Sequence, residues 1–123
     1  IATGAHPFVP PIAGIDSVDF LTYESIWHIK ELPQHLIVLG GGPIGCEMSQ
    51  AFNRLGSKVC QIEAYGTLLS RDEPVAGKII MDTFRNEGVN LHCNAKAEKE
   101  MVAVATGASH PIDPGAIGLC PMG

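Results

Sequence analysis

An α/β fold with a parallel sheet flanked by helices is what this 123-residue sequence predicts, and three observations carry that reading. A short, wholly apolar run, Leu36 to Leu39, opens onto closely spaced glycines. The stretch behind those glycines has helical spacing and stops at Gly56. The alternation of apolar run and helical stretch then repeats.

The elements follow in chain order. TYESIWHIKELP predicts a short surface helix, with Ile26, Ile29 and Leu32 at helical spacing and Pro33 ending it. Trp27 and His28 are read there as packing and surface residues. LIVL is short and apolar throughout, the pattern of a parallel strand covered on both faces. From Ile44 the spacing of Ile44, Met48, Ala51, Phe52 and Leu55 predicts a helix with one apolar face. Gly56 suits the left-handed position that closes it. VCQI is the second strand, with Glu63 at its end. Glu73 and Pro74 open a second helix, with Val75, Ile79, Thr83 and Phe84 on one face and Gly88 at the close. VNLHC is the third strand.

Composition narrows the function classes. Hydrophobic residues make up 46% and charged residues 17%, which disfavours disorder. A formal charge of −5 without a basic cluster argues against a nucleic-acid partner. No apolar run approaches the roughly 20 residues that span a bilayer, so no membrane partner is expected. Cys46, Cys60, Cys93 and Cys120 show no metal or C-x-x-C spacing. Cys60 and Cys93 fall in apolar runs as small core residues, and a reducing, cytoplasmic setting is expected. No metal site and no catalytic residue is assigned.

The chemistry lies at LIVLGGGPIGCE. Gly40, Gly42 and Gly45 stand in G-x-G-x-x-G spacing between the first strand and its helix. Gly40 permits a tight turn, Gly42 lets the backbone approach a pyrophosphate, and Gly45 lets the helix pack near the strand. The helix start aims its amides and positive dipole end at the phosphates. Pro43 suits the first helical turn, where its missing N–H is no loss. A carboxylate at Glu63, eighteen residues beyond Gly45, can accept both hydroxyls of an adenine ribose. The order strand, glycine turn, helix, strand, acid predicts a Rossmann-like βαβαβ half that binds a dinucleotide. Glu47, placed in the first turn, fits two roles equally: complement to the helix dipole, or ligand contact.

The same phrase also occurs near both ends, IATGAHP at the start and VATGASHP beyond residue 103. Each reads as a strand running into a glycine turn that a proline closes. Together with LTYESIWHIKELPQHLIVLGGGPIGCE and AFNRLGSKVCQIEAYGTLLSRDEP, these stretches resemble the NAD(P)H-binding domain of the FAD-dependent pyridine nucleotide–disulfide oxidoreductases, and within them dihydrolipoamide dehydrogenase and mercuric reductase. The resemblance implies that the NAD domain is an insert in the FAD domain, with Ala2-Thr3-Gly4 as exit and Ala105-Thr106-Gly107 as return. It divides the chain into an exit segment at 1–17, an NAD(H)-binding domain at 18–107 and an irregular tail at 108–123. It places Gly40, Gly42 and Gly45 on the pyrophosphate, with Pro43 and Ile44 in the same turn. Glu63 would hold the adenine ribose, and Glu47 and Gly107 would lie near the nicotinamide.

The sequence departs from that family in four respects. The redox-active C-x-x-x-x-C pair, the FAD fingerprint and the C-terminal interface domain are absent from these residues. Only AKAEKE separates Asn94 from Met101, so the family's β-meander is shortened or missing. The reading is therefore an NADH-binding piece whose partners are NADH and the parent enzyme's FAD and interface domains, with FAD held only by the complete enzyme. Two alternatives stay open, a non-catalytic nucleotide-binding module and a small self-sufficient NAD-dependent dehydrogenase.

Overall fold

A computed structural model describes residues 2–4 and 6–97 of the chain. Among these the sheet has three parallel strands in the order β1 (His35–Leu39), β2 (Lys58–Ile62) and β3 (Asn90–His92). β1 pairs with β2 from His35↔Lys58 to Leu39↔Ile62, and β2 pairs with β3 from Cys60↔Asn90 to Ile62↔His92. Parallel neighbours need crossovers, and these are α1 (Pro43–Leu55) and α2 (Pro74–Glu87). The βαβαβ order expected from the sequence is the observed one.

Alternation along the strands sorts the core into two faces. Leu36, Val38, Val59 and Leu91 meet Cys46, Phe52, Leu68 and Phe84 on the side carrying both helices. Ile37, Leu39, Cys60, Ile62 and Ala95 form a smaller cluster on the other side. Both helices begin with proline in their first turn and stop at a left-handed glycine, Gly56 or Gly88.

The helix faces differ from those the spacing predicts. In α1 the buried residues are Cys46, Ser49 and Phe52, while Ile44 is exposed and Leu55 is 66% exposed. In α2 they are Gly77 and Phe84, and Val75 is 64% exposed, with Ile79 also outward. The reason is distance. A Cβ on Gly77 would meet the Leu68 carbonyl and the Thr67 hydroxyl, so the start of α2 packs directly on the loop that precedes it, where no side chain fits. That contact turns Gly77 inward, with Phe84, Ile80 and Met81 on the core side and Val75 and Ile79 outward.

The predicted helix around TYESIWHIKELP is also not formed. Only a single 3-10 turn, Ile26–His28, stands there, and Ile29 is already extended with ψ 139°. Thr22 and Ser25 bond each other's backbone, with the Thr22 amide donating to Ser25 Oγ at 2.8 Å. Hydroxyls of this kind offer the backbone a turn in place of a helix. Ile26 is buried in the core and Pro33 is buried too, its carbonyl accepting the Ser57 hydroxyl at 2.6 Å. Gly4 has the left-handed φ of 78° expected of a turn, but residues 2–4 pair in no strand. The return turn at Ala105–Gly107, the tail at 108–123 and most of the shortened meander lie outside the described residues.

The helix ends are tied together at Glu87. Arg54 donates to both its carboxylate oxygens at 3.1 and 2.5 Å, and Asn53 Nδ2 bonds its backbone carbonyl at 3.0 Å. The hydrogen bonds from Arg54 hold the Glu87 carboxyl below its ordinary range. This tie is therefore complete above the unfolded-state carboxylate range and is lost as pH falls through the lower folded value.

Candidate functional site

The site grows from the C-terminal end of β1. Gly40 leaves the strand with φ 101°, a conformation that side chains with a Cβ rarely adopt. Its amide donates to the Ile62 carbonyl at 2.8 Å, so the turn stays attached to β2. Gly42 follows as the residue capping α1, with φ −74° and ψ 179°, and a Cβ there would meet nothing within 4 Å. Pro43 occupies the first helical position. Gly45 is the contact point, since a Cβ on it would be driven into the Gly40 carbonyl. Among the described residues the amides of Gly42, Ile44 and Gly45 have no hydrogen-bond partner. Three donors therefore converge at a 13-residue helix's positive end.

Glu63 lies directly after β2 and is 8% exposed. One carboxylate oxygen accepts the Gly41 amide, and the other accepts the Tyr65 amide at 2.7 Å. The carboxylate thus fixes the glycine turn to the loop after β2. That loop grips back, with the Leu69 amide donating to the Gly41 carbonyl at 2.7 Å. Leu68 is fully buried behind it, where a Cβ on Gly41 would strike its side chain.

Two hollows flank the turn. One of about 380 Å³ is lined by Phe20, Tyr23, Gly42, Pro43, Ile44 and Met48. The other, about 650 Å³, runs past Ile12, Ile62, Glu63, Ala64, Ala95 and Lys96. Gly40, Phe8 and Pro10 border both.

The structure therefore brings Gly40, Gly42, Pro43, Ile44, Gly45 and Glu63 to one end of the sheet. Glu47 is exposed and lies beyond the first turn of α1, which holds no acidic residue, so its dipole role falls away. Gly107 lies outside the described residues. Sequence reasoning missed Gly41, whose amide and carbonyl are both bonded, and Gln61. The signal for Gln61 was present: one polar residue in an apolar strand needs a buried partner.

Among the described residues no three His, Cys, Asp or Glu side chains are grouped to hold a metal ion. No helix among them is long and apolar enough to cross a membrane. Cys46 on α1, Cys60 on β2 and Cys93 after β3 are free thiols, each pushed up in pKa chiefly by burial. A thiolate is the reactive form. All three should thus label with iodoacetamide at pH 8 at least about tenfold more slowly than glutathione, and at its rate once unfolded. Peptide mapping by mass spectrometry checks this; native labelling at the free-thiol rate at any of the three would contradict it.

With the turn and its acid in place, the comparisons decide the family. The signature described as pyridine nucleotide-disulphide oxidoreductase matches residues 1–105. The chain belongs to the pyridine nucleotide-disulphide oxidoreductases. A mercuric reductase from Streptomyces lividans is 45% identical over 92 residues, covering 75% of this chain and 19% of that enzyme. The HOCl-induced flavoprotein disulfide reductase RclA from Escherichia coli superposes with a TM-score of 0.73 at 39% identity, over 79% of this chain and 22% of that one. The water-forming NADH oxidase from Lactobacillus brevis, solved bound to NADH, gives 0.67 at 27% identity, over 79% and 23%. The chain thus spans about a fifth of the length of these oxidoreductases.

Proposed function

We propose that this chain is the NAD(H)-binding piece of a flavin-dependent pyridine nucleotide–disulfide oxidoreductase, presenting NADH to FAD in the complete enzyme. The observation that carries the reading is the turn itself: a helix start with three amides unpartnered among the described residues, open space over Gly42, and a carboxylate at the end of the next strand. The donor set fits a pyrophosphate, and the two hollows on either side of Gly40 leave room for the two halves of a dinucleotide. Bound NADH would supply a hydride; the chain's own residues bind and orient.

In this reading Gly42, Ile44 and Gly45 direct their amides at the pyrophosphate, and Glu63 faces the adenine ribose. The hollow beside Pro43 and Ile44 receives the nicotinamide, with Glu47 and Gly107 assigned to its neighbourhood. Residues 18–107 form the nucleotide-binding domain, with 1–17 and 108–123 as flanking segments. FAD, the disulfide-reducing cysteines and the terminal acceptor belong to the remainder of the enzyme. The NADH-bound oxidase among the similar structures supports the nucleotide assignment.

The deciding experiment is a titration of NADH and NADPH into the wild type and Glu63→Ala. A 2′-phosphate brings negative charge against the carboxylate, and the next residues, Ala64, Tyr65 and Gly66, supply no cation. The wild type should prefer NADH by about tenfold to hundredfold, after solvent screening reduces the Coulomb repulsion. Glu63→Ala should erase the preference and weaken NADH as well, since the Gly41 and Tyr65 amides lose their acceptor. Equal wild-type affinities, or a preference that survives the substitution, would remove Glu63 from the ribose.

A further inference from the structure

β2 is apolar on its helix-facing side except at Gln61, which is 0% exposed. Its Nε2 donates to the Gly40 carbonyl at 3.0 Å. Gly40 is also the residue whose amide is held by the Ile62 carbonyl at 2.8 Å, so consecutive positions of β2 grip both ends of this one glycine. The next position, Glu63, takes the Gly41 amide. A Cβ on Gly45 would come within 3.2 Å of the same Nε2. One side-chain amide thus sits where the exit of β1, the first turn of α1 and the middle of β2 converge.

The other end of that side chain is costly. Among the described residues Gln61 Oε1 is buried without a partner, as is the Ser49 hydroxyl, which faces inward from α1. An unpaired buried acceptor lowers stability, and a leucine of similar size would avoid it. The Gly40 carbonyl lies under the first turn of α1, against Gly45, and Gln61 Nε2 supplies it with a donor. Filling the space alone gives no reason for an amide here, whereas fixing the direction of the Gly40–Gly41 peptide does.

We propose that Gln61 is a positioning residue for a dinucleotide pyrophosphate: by holding the Gly40 carbonyl down onto β2, it sets the aim of the Gly42, Ile44 and Gly45 amides. The role rests on the nucleotide-binding reading above. It makes affinity fall on substitution without a matching loss of stability, which a purely structural side chain would not do.

The test compares the 123-residue wild type with Gln61→Leu, and with Gln61→Met as the more adaptable replacement should leucine overpack. Thermal unfolding, NADH affinity by calorimetry, and hydrogen exchange of the Gly41 amide without ligand are read together. The expected result is a nearly unchanged melting temperature, because removing the unpaired Oε1 offsets the lost donor to the Gly40 carbonyl, with NADH binding about tenfold weaker and Gly41 exchange about tenfold faster. Equal NADH affinity in a folded variant would overturn the role of Gln61 and leave the nucleotide site standing. A melting temperature that falls in step with affinity would overturn it too, as the mark of a packing residue. A wild type that binds no NADH would instead bring down the nucleotide reading, and this role with it.

Discussion

Gly45→Ala is expected to melt at a lower temperature than the wild type, even though alanine is the better helix former. Replacing glycine by alanine inside a helix ordinarily gains about 0.5–1 kcal/mol. Here the new methyl is driven into the Gly40 carbonyl and stands 3.2 Å from Gln61 Nε2. The first obstacle is backbone, held to β2 by the 2.8 Å bond from the Gly40 amide to Ile62, and so it cannot swing aside. α1 must lift off the sheet, and overpacking of this kind costs about 1–3 kcal/mol or more. The clash outweighs the propensity gain, leaving a net loss of about 1–2 kcal/mol and a melting temperature lower by roughly 5–10 °C. Circular dichroism melts check it, and an unchanged or higher value would mean that α1 does not seat on the Gly40 carbonyl.

Gly42→Val is expected to do the opposite: fold normally and lose NADH. With φ −74° and ψ 179° the backbone is extended, which a β-branched residue accepts readily, and a Cβ there meets nothing within 4 Å. Stability should stay within about 1 kcal/mol of wild type, the cost of putting valine at the cap of α1, with no clash added. The open space is nonetheless where the pyrophosphate has to approach. A branched side chain there both blocks it and screens the Ile44 and Gly45 amides, so affinity should fall by about a hundredfold, roughly 2.7 kcal/mol. Calorimetry on the folded variant decides the matter. Undiminished NADH binding would place the ligand elsewhere.

These two glycines lie three residues apart and show which parts of the molecule sequence can reveal. The apolar runs, the glycine spacing and the proline and glycine stops located all three strands and both helices, because each rests on local chemistry. The helix faces were not readable. Close contacts at the helix starts, Gly45 on the Gly40 carbonyl and Gly77 on the Thr67–Leu68 loop, put Cys46, Ser49 and Gly77 inward and leave Ile44, Leu55, Val75 and Ile79 outside, against the hydrophobic spacing. TYESIWHIKELP had the spacing of a helix, but the Thr22–Ser25 hydroxyl pair and the buried Ile26 left it a single turn. At the site, Gly40, Gly42, Gly45 and Glu63 were legible as a motif. The double engagement of Gly41 and the bond from Gln61 join residues about twenty positions apart, and only the folded chain makes them visible.

The bridge from Glu63 to the amides of Gly41 and Tyr65, closed by Leu69 on the Gly41 carbonyl, has a kinetic consequence. The turn is given its shape during folding, so a ligand meets donors that are already aimed. Ordering entropy is charged to the fold instead of to association, which is how preorganised sites gain affinity. Binding should then be a single step whose observed rate rises linearly with ligand concentration, without the plateau of a preceding rearrangement. Liganded and ligand-free backbones from Gly40 to Gly45 should differ by less than about 1 Å.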